Sequence, residues 1–350
     1  MMLGVGMPKG AVDFLFIVDK RDSPLWRAAS SRSKAFSSTI VAATDFVSAY
    51  SLAKYIESVK PSMVIVSWRP AFEQLVSRKK SKRILLKLDL SIYLLIPDFV
   101  GIHYPTELEQ SLIYSADGFL VTSNILRDAY LENYQTKSIG VLHDLPDLTG
   151  LSRVQPANMS HGSKTVLWVG NSKWGERLGF EDHKGLHKLA LPVFEILKEL
   201  DENIDIKIID SAYARVKNSE VLEEIQRAAC LLITSDSEGT ALPILEAAAL
   251  GTPVVSVNVG IASEILSGEI GDLIVTRNPQ LIAGRIIQTI RTRESLSPLI
   301  RSNWEEYKSN AEAELEDLLQ KRCSLGQWRT SKSTHSIVPY IVWLVRRVRR

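Results

Sequence analysis

Cysteine is scarce in this chain. Only Cys230 and Cys323 occur among 350 residues, far apart and without a C-x-x-C or metal-ligand spacing. Such usage suits a reducing compartment, and Cys230, set in an apolar run, is an expected core residue. Long apolar runs are missing as well. No stretch approaches the roughly 20 residues of a membrane-spanning helix. The run at 14–18 is too short for a signal-peptide core and reads as a strand. The expected location is therefore cytoplasmic. Charge of one sign is also lacking: 42 Lys and Arg against 40 Asp and Glu leave a net charge of +2. That balance argues against a dedicated nucleic-acid binder. No Gly-x-Gly-x-x-Gly follows an apolar run, which weakens a dehydrogenase reading. Internal repeats and low-complexity tracts are absent too.

What is present is the composition of a globular protein, 45% hydrophobic and 23% charged, long enough for two domains of ordinary size. Apolar runs at 14–18, 39–43, 63–67, 84–88, 118–122 and 138–142 alternate with helical stretches such as 48–58 and 106–115. A polar segment at 144–164, with Pro146 and Pro156, reads as a linker. A second series follows at 165–169, 204–209, 231–234, 254–257 and 273–275. Helices at 189–200, 219–229, 244–250 and 279–291 separate these strands, and 303–321 reads as a terminal helix. The alternation predicts an α/β protein with two Rossmann-like, doubly wound domains, ligands being expected in a cleft at the carboxyl ends of the strands. The expected division is 1–150, 163–321 and a basic, apolar tail at 322–350.

The densest chemistry lies in residues 234–264. Glu238 and Glu246 stand eight positions apart around a small-residue turn that opens a helix. Pro243 suits its first position, Gly251 caps it, and Pro253 blocks continuation before a buried strand. Backbone N–H groups from Glu238 to Leu242 then lie at the positive end of a helix dipole, a ready anion site. Glu246 sits one turn inside, and its side chain leans back toward that mouth. Anion-binding amides flanked by two hydroxyl acceptors suit a sugar nucleotide, a diphosphate between two polyols. Taken alone, an acidic first turn that complements the dipole explains the same glutamates.

This run resembles the Glu-x7-Glu signature of retaining GT-B glycosyltransferases (family-4-like, "group 1"). Glu238, Gly239, Leu242, Pro243, Leu245, Glu246, Ala247, Ala249, Gly251, Pro253 and Val254 fall in register with it. Thr240 and Ala241 replace its Phe-Gly, which stiffens the loop. The resemblance implies that Glu246 binds the ribose hydroxyls, and that Glu238 with the amides of Gly239, Thr240, Ala241 and Leu242 holds sugar and phosphate. It also implies a diphosphate clamp after the first strand of the second domain. There Gly170 and Lys184-Gly185 match, but Asn171 stands where the family has arginine, inside an enlarged loop at 171–183. Arg177 is the favoured replacement, with Lys173 as the other candidate. Gly260 and Glu264 match a later Gly-x-x-x-Glu segment, although Glu264 serves equally as a helix cap.

The first domain resembles the family less. The run 84–90 looks like the strand that ends in His-Asp-Leu, with Leu88 in place of the histidine and Asp89 kept; His103 is a possible substitute. Ser123 starts a helix, for which an N-cap role suffices. The usual glycine-rich turn after the first strand is replaced by residues 19–30.

The family implies transfer from a nucleoside diphosphate sugar, a co-substrate rather than a cofactor, with retention. No Asp-x-Asp pair follows a strand, and Lys184 with the helix can meet the phosphate charge, so no metal is expected. The implied acceptor is a glycan or lipid-linked saccharide, as in cell-surface polysaccharide or lipopolysaccharide synthesis. A GT-B sugar-nucleotide epimerase and a catalytically silent sugar-nucleotide-binding partner remain as alternatives. The apolar run 337–345 with its basic end, and the basic run 77–83, suit peripheral docking on an anionic membrane.

Overall fold

The computed structural model describes residues 12–34, 37–88, 90–136, 139–149, 151 and 164–325, with side chains through 318. Residues 152–163 of the expected linker and 326–350 of the expected tail lie outside the described residues, as does Asp89. The chain divides into two compact units, one of residues 1–147 with 310–350 and one of 148–309.

The first unit is built from β1 (Phe14–Val18), α1 (Pro24–Ser33), β2 (Ser38–Ala42), α2 (Ala49–Val59), β3 (Met63–Val66), α3 (Arg69–Ser77), α4 (Lys79–Leu85) and β4 (Ser91–Ile96). Then come α5 (Val100–His103), α6 (Glu107–Ser115), β5 (Gly118–Val121), α7 (Asn124–Asn133) and β6 (Gly140–Val141). All pairings are parallel, in the order β2-β1-β3-β4-β5-β6. Its strands are near-continuous apolar runs because helices cover both faces. Alternate residues of β1 show this directly. Leu15 and Ile17 join one core with Leu52 and Phe72, while Phe14, Phe16 and Val18 join another with Ala29 and Leu315.

The second unit contains β7 (Thr165–Gly170), α8 (Leu191–Leu200), β8 (Asp205–Asp210), α9 (Asn218–Arg227), β9 (Cys230–Ile233), α10 (Leu242–Leu250), β10 (Val254–Ser256), α11 (Ala262–Ile265) and α12 (Pro279–Arg291). Its sheet is parallel in the order β10-β9-β7-β8. The chain leaves β7 to one side for β8 and returns to the other for β9, so the topological switch point lies between β7 and β9. Helix α13 (Arg293–Leu325) follows; its residues from Asn310 onward belong to the first unit. There Glu314 accepts the His143 backbone N–H at 2.8 Å and meets His143 Nδ1 at 2.5 Å.

Three expectations need correction. Residues 84–88 are not a strand: Ile84 and Leu85 finish α4, and the strand is β4 at Ser91–Ile96. Ile84 and Leu85 are buried while Leu86 is 59% exposed, a helical distribution that a short apolar run does not disclose. Leu88 therefore precedes the strand and packs on the core, so it does not occupy the strand-end position of the family's histidine. At 273–275 there is a single bridge, Ser256 to Ile274, after a 3-10 turn rather than a strand. The helix expected at 189–200 begins as a π-turn at 186–190, where Ala190 N–H reaches back to Gly185 O.

Candidate functional site

The switch point of a doubly wound sheet opens a crevice at the strand carboxyl ends. In the second unit that edge is built from the bottom by Trp168, which is 1% exposed. Its Nε1 donates to Thr234 Oγ1 at 3.0 Å, and Thr234 Oγ1 donates to the Lys184 carbonyl at 2.8 Å. The loop that follows β7 is thereby stitched to the end of β9. Gly185 makes the approach possible: its φ is +69°, and a Cβ there would lie 2.2 Å from the Thr234 carbonyl oxygen. Glycine alone satisfies both demands.

This stitching brings Lys184 to Glu238. The ammonium meets Glu238 Oε1, and Ser235 Oγ donates to the same oxygen at 2.6 Å. The two charged side chains are 21% and 15% exposed. Gly239 and Thr240 are buried, and Ala241 turns the chain into α10 with φ +62°. A second glycine braces the turn. Gly260, at φ +55°, would place a Cβ 2.3 Å from the Thr240 carbonyl oxygen, and Ile261 N–H donates to that oxygen at 3.0 Å. Helix α10 begins at Leu242, with Pro243 second, and no side chain caps it; Gly251 closes it in the left-handed conformation. Glu246, one turn in, is 6% exposed.

The other expected residues lie close in sequence but serve differently. Gly170 ends β7, where a Cβ would press on the Trp168 ring at 2.5 Å. Asn171 folds its own loop: its Oδ1 accepts Lys173 N–H at 3.1 Å and its carbonyl accepts Trp174 N–H at 2.9 Å. Arg177 is exposed on a 3-10 turn, with no side-chain hydrogen bond or ion pair to any described residue. The structure does not bring it to Lys184 and Glu238. Lys173 lies over the Tyr213 ring at 4.5 Å. In the first unit His103 ends α5 beside Phe99, and Ser123 Oγ caps α7 by accepting Leu126 N–H at 3.3 Å.

Sequence reading missed Arg277 and the aromatic part of the enlarged loop. Arg277 Nη1 donates to the carbonyls of Thr234 at 3.0 Å and Ser235 at 2.8 Å, while Nη2 pairs with Asp236 at 2.6 Å. It clamps the segment that carries Glu238. Its one sequence signal is its place just after the apolar run 273–275, where strand ends are expected. His183 packs against both Trp174 and Phe180, ring centroids at 4.6 and 4.9 Å. Burial lowers its pKa below the ordinary value; Glu238 opposes that shift and Lys184 adds to it.

A cation, a carboxylate and a helix amino end thus converge on one switch point, an arrangement able to hold a phosphorylated polyol. No curated protein matches the sequence. Among solved structures, S. aureus TarM with fondaparinux, alpha-GlcNAc-glycerol and UDP aligns at TM-score 0.51 and 15% identity. The alignment covers 79% of this chain but only 58% of TarM. The lipopolysaccharide outer core galactosyltransferase WaaB aligns at TM-score 0.54 and 14% identity, over 89% of this chain and all of WaaB. An alpha,alpha-trehalose-phosphate synthase (UDP-forming) from Burkholderia vietnamiensis aligns at 0.57 and 9%, over 89% of this chain and 100% of its own. Residues 192–308 match the family described as glycosyl transferases group 1. The chain accordingly has a GT-B fold and carries a glycosyl transferases group 1 domain.

Proposed function

We propose that the protein is a retaining glycosyltransferase that moves a sugar from a nucleoside diphosphate to a glycan or lipid-linked acceptor. The observation that supports this most is the Lys184–Glu238 pair beside the amino end of α10, at the second unit's switch point. In this reading Glu246 accepts the ribose hydroxyls. Glu238 and the amides from Gly239 to Leu242 hold the sugar and phosphate. Lys184 meets the charge that grows on the diphosphate as the anomeric C–O bond breaks. The departing phosphate oxygen takes the proton of the acceptor hydroxyl, whose oxygen forms the new bond on the same face. Arg177 would add charge only if its loop folds inward around the donor.

The first unit is the proposed acceptor side, and α4 supports the reading of a peripheral position on an anionic membrane. Arg78, Lys79, Lys80, Lys82, Arg83 and Lys87 are exposed and make no ion pair with any described residue. Ser81, Ile84 and Leu85 face the core, and Leu86 stands out beside the cations. Lipopolysaccharide or cell-surface polysaccharide synthesis would place an acceptor at such a surface. No helix of the described residues is long and apolar enough to cross it. Incubation with a panel of nucleotide sugars, reading both hydrolysis and transfer, tests the assignment; proton NMR of the product reports the anomer. Binding of the donor without turnover would favour a silent partner, and conversion of the donor without an acceptor an epimerase.

A further inference from the structure

The enlarged loop at 171–183 replaces the family's arginine with no charge of its own at the site. What it brings to Lys184 is an aromatic ring. Trp174 N–H is anchored on the Asn171 carbonyl, and Phe180 N–H closes the loop onto Gly175 O at 3.1 Å. Gly175 takes φ +81°, and a Cβ there would strike the Phe180 ring at 2.7 Å. Phe180 consequently stacks on Trp174 at 5.8 Å and 20°. His183 backs both rings, and its carbonyl is fixed by Asp236 N–H at 2.8 Å. The Lys184 ammonium lies 5.6 Å from the Trp174 ring centroid.

We propose that Trp174 is a positioning residue: its ring aims the Lys184 ammonium at the diphosphate. This rests on the donor reading given above. Lysine has a flexible stem and a compact charge, so its direction is set by what surrounds the ammonium. Glu238 holds it but also neutralises it. An aromatic face attracts the ammonium through its quadrupole while leaving its net charge intact. When phosphate competes with Glu238 for Lys184, the ring still fixes the direction of approach. The positive field at the phosphate then comes from one well-held cation instead of an arginine and lysine pair.

A double-mutant cycle separates this role from direct stacking on the ligand. Calorimetry with UDP, GDP, ADP and inorganic pyrophosphate is applied to the wild type, W174L, W174F, K184A and W174L/K184A. The expected result is a loss of about three- to tenfold in diphosphate affinity for W174L, the size of one partly desolvated cation–π contact. W174F, which keeps a ring in the stack, recovers part of it. In the K184A background W174L has no further effect. An equal loss in both backgrounds overturns the proposal, because the ring would then act on the ligand or on the loop at large. No loss in the wild-type background overturns it too. Failure of the wild type to bind any of the four probes removes the donor reading itself, whereas binding without coupling removes only the role of Trp174.

Discussion

Ala241 is the residue at which this chain departs from its resemblance at a measurable cost. An L-residue at φ +62° brings its Cβ against the following carbonyl, and no side-chain oxygen there caps α10. Ala241→Gly should raise stability by up to about 1 kcal/mol, part of the relief being offset by the freer unfolded chain. Urea unfolding of the two proteins measures it, and a loss of stability would mean that the methyl group packs usefully in its buried site. Glu246 carries a different expectation. Replacing it by Gln keeps the shape but weakens each accepted hydrogen bond. Donor affinity should fall by about 1.5–3 kcal/mol, the range for hydrogen bonds to a charged group. Unchanged calorimetric affinity in a folded variant would remove the ribose assignment.

Among elements, the turns around Thr234 decide the site. Gly185→Ala would set a methyl against the Thr234 carbonyl at a φ that disfavours any side chain. Loss of the Lys184–Glu238 contact should follow, with destabilisation of about 2 kcal/mol or more. Thermal melts and diphosphate binding read both consequences; a variant that binds normally would show that Lys184 reaches the site without this stitch. The aromatic loop predicts a pH dependence. His183 has a folded pKa below its unfolded value near 6.5, so the unfolded chain takes up the proton first. Its contribution is complete above pH 6.5 and is lost as pH falls through the folded value. The drop in melting temperature on acidification should therefore be smaller in His183→Phe than in the wild type. Parallel pH profiles would show that His183 does not titrate with folding.

For the whole molecule, the surface of α4 makes the prediction. Each basic residue near an anionic membrane contributes about 1 kcal/mol, so its cluster should suffice for reversible binding at low salt. Sedimentation with vesicles containing phosphatidylserine should recover the full chain, and both added salt and a Lys79, Lys80, Lys82, Arg83 to Glu variant should release it. A chain ending at Ser331 should bind more weakly if the segment at 337–350 adds to the attachment. Equal, salt-insensitive partitioning to neutral and anionic vesicles would exclude electrostatic docking.

The order of strands and helices was legible because the central strands β1, β3, β4 and β9 are apolar runs buried on both faces, and because Gly251, Pro253 and Pro243 punctuate α10 by local sterics. The convergence on α10 was legible for the same reason: its turn, helix and cap are contiguous in sequence. Residues 84–88 were not, since a short apolar run has no periodicity to separate strand from helix. Arg277 was hidden because its partners, at Thr234, Ser235 and Asp236, lie some forty positions away. So was the meeting of Trp174 with Lys184, which depends on a loop folding over its own glycines. Sequence by itself determined the parallel α/β layout and the helix amino end that follows Glu238. Tertiary structure alone decided which cation reaches that carboxylate, because a hydrogen-bonded stitch through Trp168, Thr234 and Gly185 is a property of packed strand ends and not of any local run of residues.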